Sequence, residues 1–135
     1  MWLIALAVVI WCSLAIIWAD TLVLAYPLIV NFIFLLVFAF SLRPNKMPII
    51  ERLARITEPE LPDSGVIYTR IVTKVWISFF VFNGMASAAT LYLADLSIWA
   101  LYNGLISYLL MGTLFITEFI VRIIYRRRHS ALWVY

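Results

Sequence analysis

The chain has 135 residues, of which 66% are hydrophobic and 13% charged, whereas soluble domains carry about 25% charged residues. A mean hydropathy of +1.04 makes lipid the solvent, which excludes a small soluble enzyme. The net charge of +3 sits at the edges of apolar runs, where Lys and Arg set membrane topology and do not mark a nucleic-acid surface.

The first apolar run, about 1–18, has no Lys or Arg ahead of it and no small-residue cleavage site, so it reads as an uncleaved span. Cys12, the only cysteine, lies inside it and excludes an intramolecular disulfide or thiolate cluster. Asp20 and Thr21 interrupt the pattern, which resumes over about 22–42. Joined as one helix the two runs reach about 60 Å, twice the hydrocarbon thickness, so the sequence predicts a turn near Asp20. Pro27 frees the carbonyl of Val23, and in such a hairpin Ser13 comes to the level of Pro27 and can donate to it. Asn31, one turn beyond Pro27, is a buried amide that needs an interhelical partner.

The stretch 43–70 is the only polar segment of any length and holds four of the five prolines. Pro48 can open a short amphipathic helix with Ile49, Ile50, Leu53 and Ile56 on one arc and Glu51, Arg52 and Arg55 on the other, suited to the membrane interface. Glu58 to Gly65 is turn chemistry that returns the chain to the membrane.

A third span is predicted over about 71–93 and a fourth over about 97–124, joined by a short turn at Asp95. With that turn at the centre, residues whose numbers sum to about 191 share a depth. Asn83 then faces Tyr108, and Ser87 faces Asn103 and Gly104. Asn103, Ser107, Met111, Leu114 and Glu118 lie within about 80° on one face. The predicted intramembrane polar layer is therefore Asn31, Asn83, Ser87, Asn103 and Ser107. Glu118, near the inner end of its span, is placed to pair with Arg122 at i+4 or to act as a proton-coupling site.

All ten Lys and Arg residues lie in the 43–70 segment, at the C-terminal end or in the adjoining span residues. By the positive-inside rule both termini and the loop are cytoplasmic. Trp18, Trp99, Tyr92 and Tyr102 would mark the outer interface, and Tyr68, Trp76 and Tyr125 the inner one. Arg52, Arg55, Arg126, Arg127 and Arg128 form a basic cytoplasmic surface. The expected fold is an all-α membrane domain of four transmembrane helices in two antiparallel hairpins. No phosphate loop, paired metal-ligand spacing or Ser/His/Asp set occurs, and His129 sits alone in a basic tail. No catalytic residue, cofactor or metal site is assigned.

YPLIVNFIFLLVFAFSL from Tyr26, ITEPELP from Ile56, YTRIVTKVWISFFVFNG from Tyr68 and WALYNGLISYLLMGTLFITEF from Trp99 resemble a family of small, uncharacterised bacterial inner-membrane proteins. Its members are encoded beside aryl-polyene or xanthomonadin-type pigment genes. The resemblance covers about 26–128 and implies a pathway, with carrier protein and membrane acyl- or glycosyltransferases as partners, and no nucleic acid. It assigns no catalytic residue. Two functions follow as expectations. One is a non-catalytic anchoring or accessory component whose basic surface holds an acidic carrier protein or anionic lipid. The alternative is a small homo-oligomeric transporter or lipid-carrier subunit with Glu118 as coupling site.

Overall fold

The structure is a computed structural model that describes Trp2 to His129; Met1, at the head of the first expected span, lies outside the described residues. All of its regular structure is helical: α1 (Trp2–Ser41), α2 (Ile49–Thr57), α3 (Asp63–Tyr92), α4 (Leu96–Leu101), a π-helical turn (Tyr102–Ile106) and α5 (Ser107–Arg128). Three rods, Trp2–Ser41, Asp63–Tyr92 and Leu96–Arg128, are long and apolar enough to cross a membrane.

α1 departs from the sequence expectation. It runs for 40 residues without the turn near Asp20, because Asp20 and Thr21 are flanked by helix-compatible residues and no Gly or Pro stands beside them to force a reversal. Pro27 sits within the helix, where its missing amide leaves the Val23 carbonyl without an i+4 donor. Every residue from Trp2 to Val23 is exposed, and burial begins at Leu24. The helix therefore joins the bundle by its second half only.

α3 is the central element, with the second half of α1 on one flank and α4–α5 on the other. Its buried Tyr68, Val72, Trp76 and Phe80 form the core with Ile50 of α2, and Leu35, Phe38, Met111, Leu114 and Tyr125 pack around them. The aromatic rings interlock: Phe80 lies 5.1 Å from Phe38 and 5.5 Å from Phe34, and Trp76 lies 4.7 Å from Phe115. Such ring pairs add attraction beyond area, which matters where lipid supplies no hydrophobic drive between helices.

α3 begins at Asp63 and so carries helix ahead of the expected span start near Ile71, since Pro62 precedes the first turn and Asp63 complements the helix dipole there. Only 58–62 of the expected return loop is non-helical. At the other end of the bundle Asp95 accepts from the amides of Ser97 (2.9 Å) and Ile98 (3.3 Å), and so starts α4. Ala94, at φ 52°, makes the reversal between the rods. The predicted short helix exists as α2, but it buries Ile50 and Glu51 against the bundle and exposes Leu53, Ile56 and Arg52. Ser41 sets its start: the Ser41 Oγ accepts from the Ile49 amide at 3.1 Å and donates to the Phe38 carbonyl at 2.7 Å.

Candidate functional site

Asn83, 2% exposed, is the centre of a polar network in the middle of the bundle. Its Nδ2 donates to Asn31 Oδ1 at 3.0 Å, while its Oδ1 accepts from the Tyr102 hydroxyl at 2.8 Å and the Ser107 hydroxyl at 3.0 Å. Asn31 in turn donates to the Pro27 carbonyl at 2.8 Å. All three membrane rods are thus joined through one amide. A turn further along α3, Ser87 donates to Asn103 Oδ1 at 2.7 Å, and Asn103 donates to Thr90 Oγ1 (3.2 Å) and the Trp99 carbonyl (2.9 Å). Trp99 Nε1 reaches the Leu24 carbonyl of α1 at 3.2 Å.

The five residues predicted as a polar layer therefore form two adjoining clusters. Asn31, Asn83 and Ser107 share one, and Ser87 and Asn103 the other. Asn83 meets Ser107 and Tyr102, not the expected Tyr108. The reason for Tyr102 is the π-helical turn. Five residues of α-helix at about 100° each would put Tyr102 about 140° from Ser107. Here the Ser107 amide reaches back to the Tyr102 carbonyl, and the widened turn takes up one extra residue. Both hydroxyls consequently face Asn83.

A second constellation lies near the far end of α5. Glu118 takes two charge-assisted bonds from Arg122, each 2.9 Å, in a fork-to-fork pair. The Tyr68 hydroxyl is shared between Glu118 Oε1 (3.1 Å) and the Glu118 carbonyl (3.2 Å). The Glu118 side chain is 12% exposed and that of Arg122 40%, so the carboxylate is inside and the cation reaches outward. The Tyr68 ring stacks on Tyr125 at 4.8 Å, and Tyr125 donates to the Ser64 carbonyl at 3.1 Å. Tyr68 and Trp76, expected as interface anchors, are core residues at 6% and 5% exposure; each has its ring or hydroxyl engaged by α5. Tyr102 is likewise drawn inward.

The expected basic surface is redistributed. Arg55 pairs with buried Glu51 at 2.8 Å and donates to the Pro59 carbonyl, and Arg126 pairs with Glu58. Arg52 donates through Nε to the Met47 carbonyl at 3.1 Å. Arg43, whose guanidinium lies 4.3 Å over the Phe40 ring, joins Lys46, Arg52, Arg127 and Arg128, together with Arg70 and Lys74 on α3, as exposed cations in no ion pair among the described residues. His129 stacks on Tyr125 at 4.3 Å. No three of the described His, Cys, Asp and Glu residues come together as a metal site.

A groove of about 560 Å³ runs between α1 and the α4–α5 rod, lined by Val23, Tyr26, Pro27, Ala100, Gly104 and Tyr108 among others. A Cβ added at Gly104 would meet nothing within 4 Å, so the groove is open there. Comparison of the chain with protein-family models, with curated proteins and with solved structures returns no match.

Proposed function

We propose that the chain is a non-catalytic component of a bacterial inner membrane, an anchoring or assembly subunit for enzymes that build a lipid or pigment of the aryl-polyene type. The observation that carries this reading is the division of its polar groups. The intramembrane amides, hydroxyls and carboxylate named above are engaged with one another, which holds a scaffold together, while Arg43, Lys46, Arg52, Arg127 and Arg128 are exposed and unpaired with any described acid. The Arg126–Glu58 pair and the Tyr125–Ser64 bond tie the end of α5 to the α2–α3 turn, so these cations share one end of the bundle. Such a surface attracts an acidic carrier protein and holds it beside membrane acyl- or glycosyltransferases and anionic lipid.

Topology follows from the same asymmetry. The cationic end is cytoplasmic by the positive-inside rule. A 40-residue apolar helix of about 60 Å exceeds a hydrocarbon layer of about 30 Å, and a helix apolar on all sides is not stable in water. In this reading the bilayer breaks the continuous α1 of the structure at Asp20–Thr21, the one polar interruption between its two apolar runs, which gives four spans with both termini cytoplasmic. A reporter fused at the N-terminus is expected to read as cytoplasmic; a periplasmic reading would leave three spans and overturn the arrangement.

The functional test is complementation. In a strain lacking the gene, a variant with Arg43, Lys46, Arg52, Arg127 and Arg128 changed to Gln should insert normally yet fail to restore the lipid-linked product. Product that is made in full but not exported, in the same deletion, would refute the anchoring role and favour the oligomeric transporter alternative.

A further inference from the structure

The groove between α1 and the α4–α5 rod is open over its Gly104 end and apolar over most of its wall, and it is bordered by the residue whose carbonyl Pro27 leaves without an amide. Val23 and Pro27 both line it, and Pro27 supplies no amide to the Val23 carbonyl. At the level of Trp99, whose Nε1 takes the neighbouring Leu24 carbonyl, such a carbonyl at the edge of the hydrocarbon is best met by a side-chain donor. On the opposite wall Ala100 and Gly104 are spaced i, i+4, which lets another helix backbone approach closely.

We infer that Trp2–Ala19, the exposed half of α1, turns at Asp20–Thr21 and docks as a helix in this groove. The inference rests on the four-span arrangement proposed above and adds where the first span lies. Folding about that turn brings together residues whose numbers sum to about 41. Ser13, the only hydroxyl between Trp2 and Ala19, then reaches the level of Pro27 and donates to the Val23 carbonyl. Ala15 comes opposite Tyr26. Asn31 shares its level with Tyr102 and Ser107 through Asn83. That register places Cys12 within about one helical turn of Gly104 in depth, and Ala15 beside Ala100.

A second groove, on the other side of α1, is lined by Leu28, Asn31, Gly84, Met85 and Ala88. There Asn31 Cβ stands 3.7 Å from a Cβ built on Gly84, and Asn31 already donates to the Pro27 carbonyl. It presents no carbonyl freed by proline, so it is the less suited of the two.

The native Cys12 makes the inference testable in the full chain, reconstituted in vesicles of phosphatidylethanolamine and phosphatidylglycerol. Gly104→Cys is introduced where the added side chain has open space, and copper phenanthroline supplies the oxidant. The expected result is an intramolecular Cys12 disulfide in most of the protein, lost when Cys12→Ser is added. Met85→Cys is the second arm. A Cys12 disulfide to position 85 and none to position 104 would keep the fourth span and overturn its docking in this groove. A disulfide-linked dimer through position 104 would give the groove to a second copy, again overturning it. If neither pair forms and Cys12 stays protected from an impermeant maleimide, the first span lies elsewhere in the membrane and the docking is wrong. If neither forms and the maleimide modifies Cys12 from outside, the four-span arrangement itself fails.

Discussion

Asn83→Leu tests the centre of the bundle most directly. The substitution keeps size and apolar fit but removes one donor and one doubly used acceptor, which strands Asn31 Oδ1, the Tyr102 hydroxyl and the Ser107 hydroxyl. Interhelical hydrogen bonds in membranes average about 0.6 kcal/mol and reach about 1.7. Three such bonds give a loss of about 2 kcal/mol at the average and about 5 at the upper end. Tyr102→Phe removes a single bond and should cost about 0.6 to 1.7 kcal/mol. Because that bond is absent in Asn83→Leu as well, the double mutant should be less destabilised than the sum of the two, by the value of the shared bond. Equilibrium unfolding of the reconstituted protein by steric trapping measures all four corners of the cycle. A loss under about 0.5 kcal/mol for Asn83→Leu, or strict additivity with Tyr102→Phe, would refute the network as a source of stability.

The second cluster gives a paired result: Ser87→Ala and Asn103→Leu should couple through their 2.7 Å bond, whereas Asn83→Leu and Asn103→Leu, which share no bond, should be additive in the same unfolding assay. Ser41→Ala leaves the Ile49 amide without its acceptor and should cost about 1 kcal/mol, read as faster hydrogen exchange confined to the first turn of α2. Glu118→Gln keeps an acceptor for Tyr68 but loses the charge pair with Arg122. Since Arg122 is 40% exposed and water can take over its charge, the loss should stay under about 2 kcal/mol; complementation should persist, and an inserted but inactive Gln variant would overturn the structural role.

Depth and helical phase were legible where the helices are regular. A register sum of about 191 comes within one residue of the observed partners Asn83 with Ser107 and Ser87 with Asn103. Asn31 is a lone amide at mid-span, and the i+4 spacing of Glu118 and Arg122 already names a pair. What escaped the sequence lies where regularity fails or where two signals compete. Tyr102 reads as an interface aromatic until the π-helical turn rotates it onto Asn83. Tyr68 has the same aromatic signature as a belt residue, but its hydroxyl is taken by Glu118, 50 positions away in the chain, which no local pattern encodes. The inner face of α2 falls between its apolar and charged arcs, because Glu51 is buried and neutralised by the partly exposed Arg55. Hydrophobic periodicity treats every charge as outward and cannot see a neutralised pair.

The π-helical turn allows scaffold and function to be separated by removing one residue. A π turn behaves as an α-helix holding one extra residue, so deleting that residue restores regular geometry while the flanking segments keep their mutual phase. Leu105 is the suitable choice: it is exposed, at 51%, and lies within Tyr102–Ile106. After its deletion Tyr102 stands four residues from Ser107, about 40° away around an α-helix, and both hydroxyls still face Asn83. Removing Leu109, also exposed but inside regular α5, would instead rotate the two ends of the rod by about 100° against each other. It would pull Glu118 from Tyr68 or Ser107 from Asn83. Stability is therefore expected to survive the loss of Leu105 within about 1 kcal/mol and to fall by several kcal/mol without Leu109. Equal destabilisation by the two deletions would refute the account of the turn as a phase-correcting insertion. Retained stability with lost complementation, for the Leu105 deletion alone, would locate a functional contact at the widened turn itself.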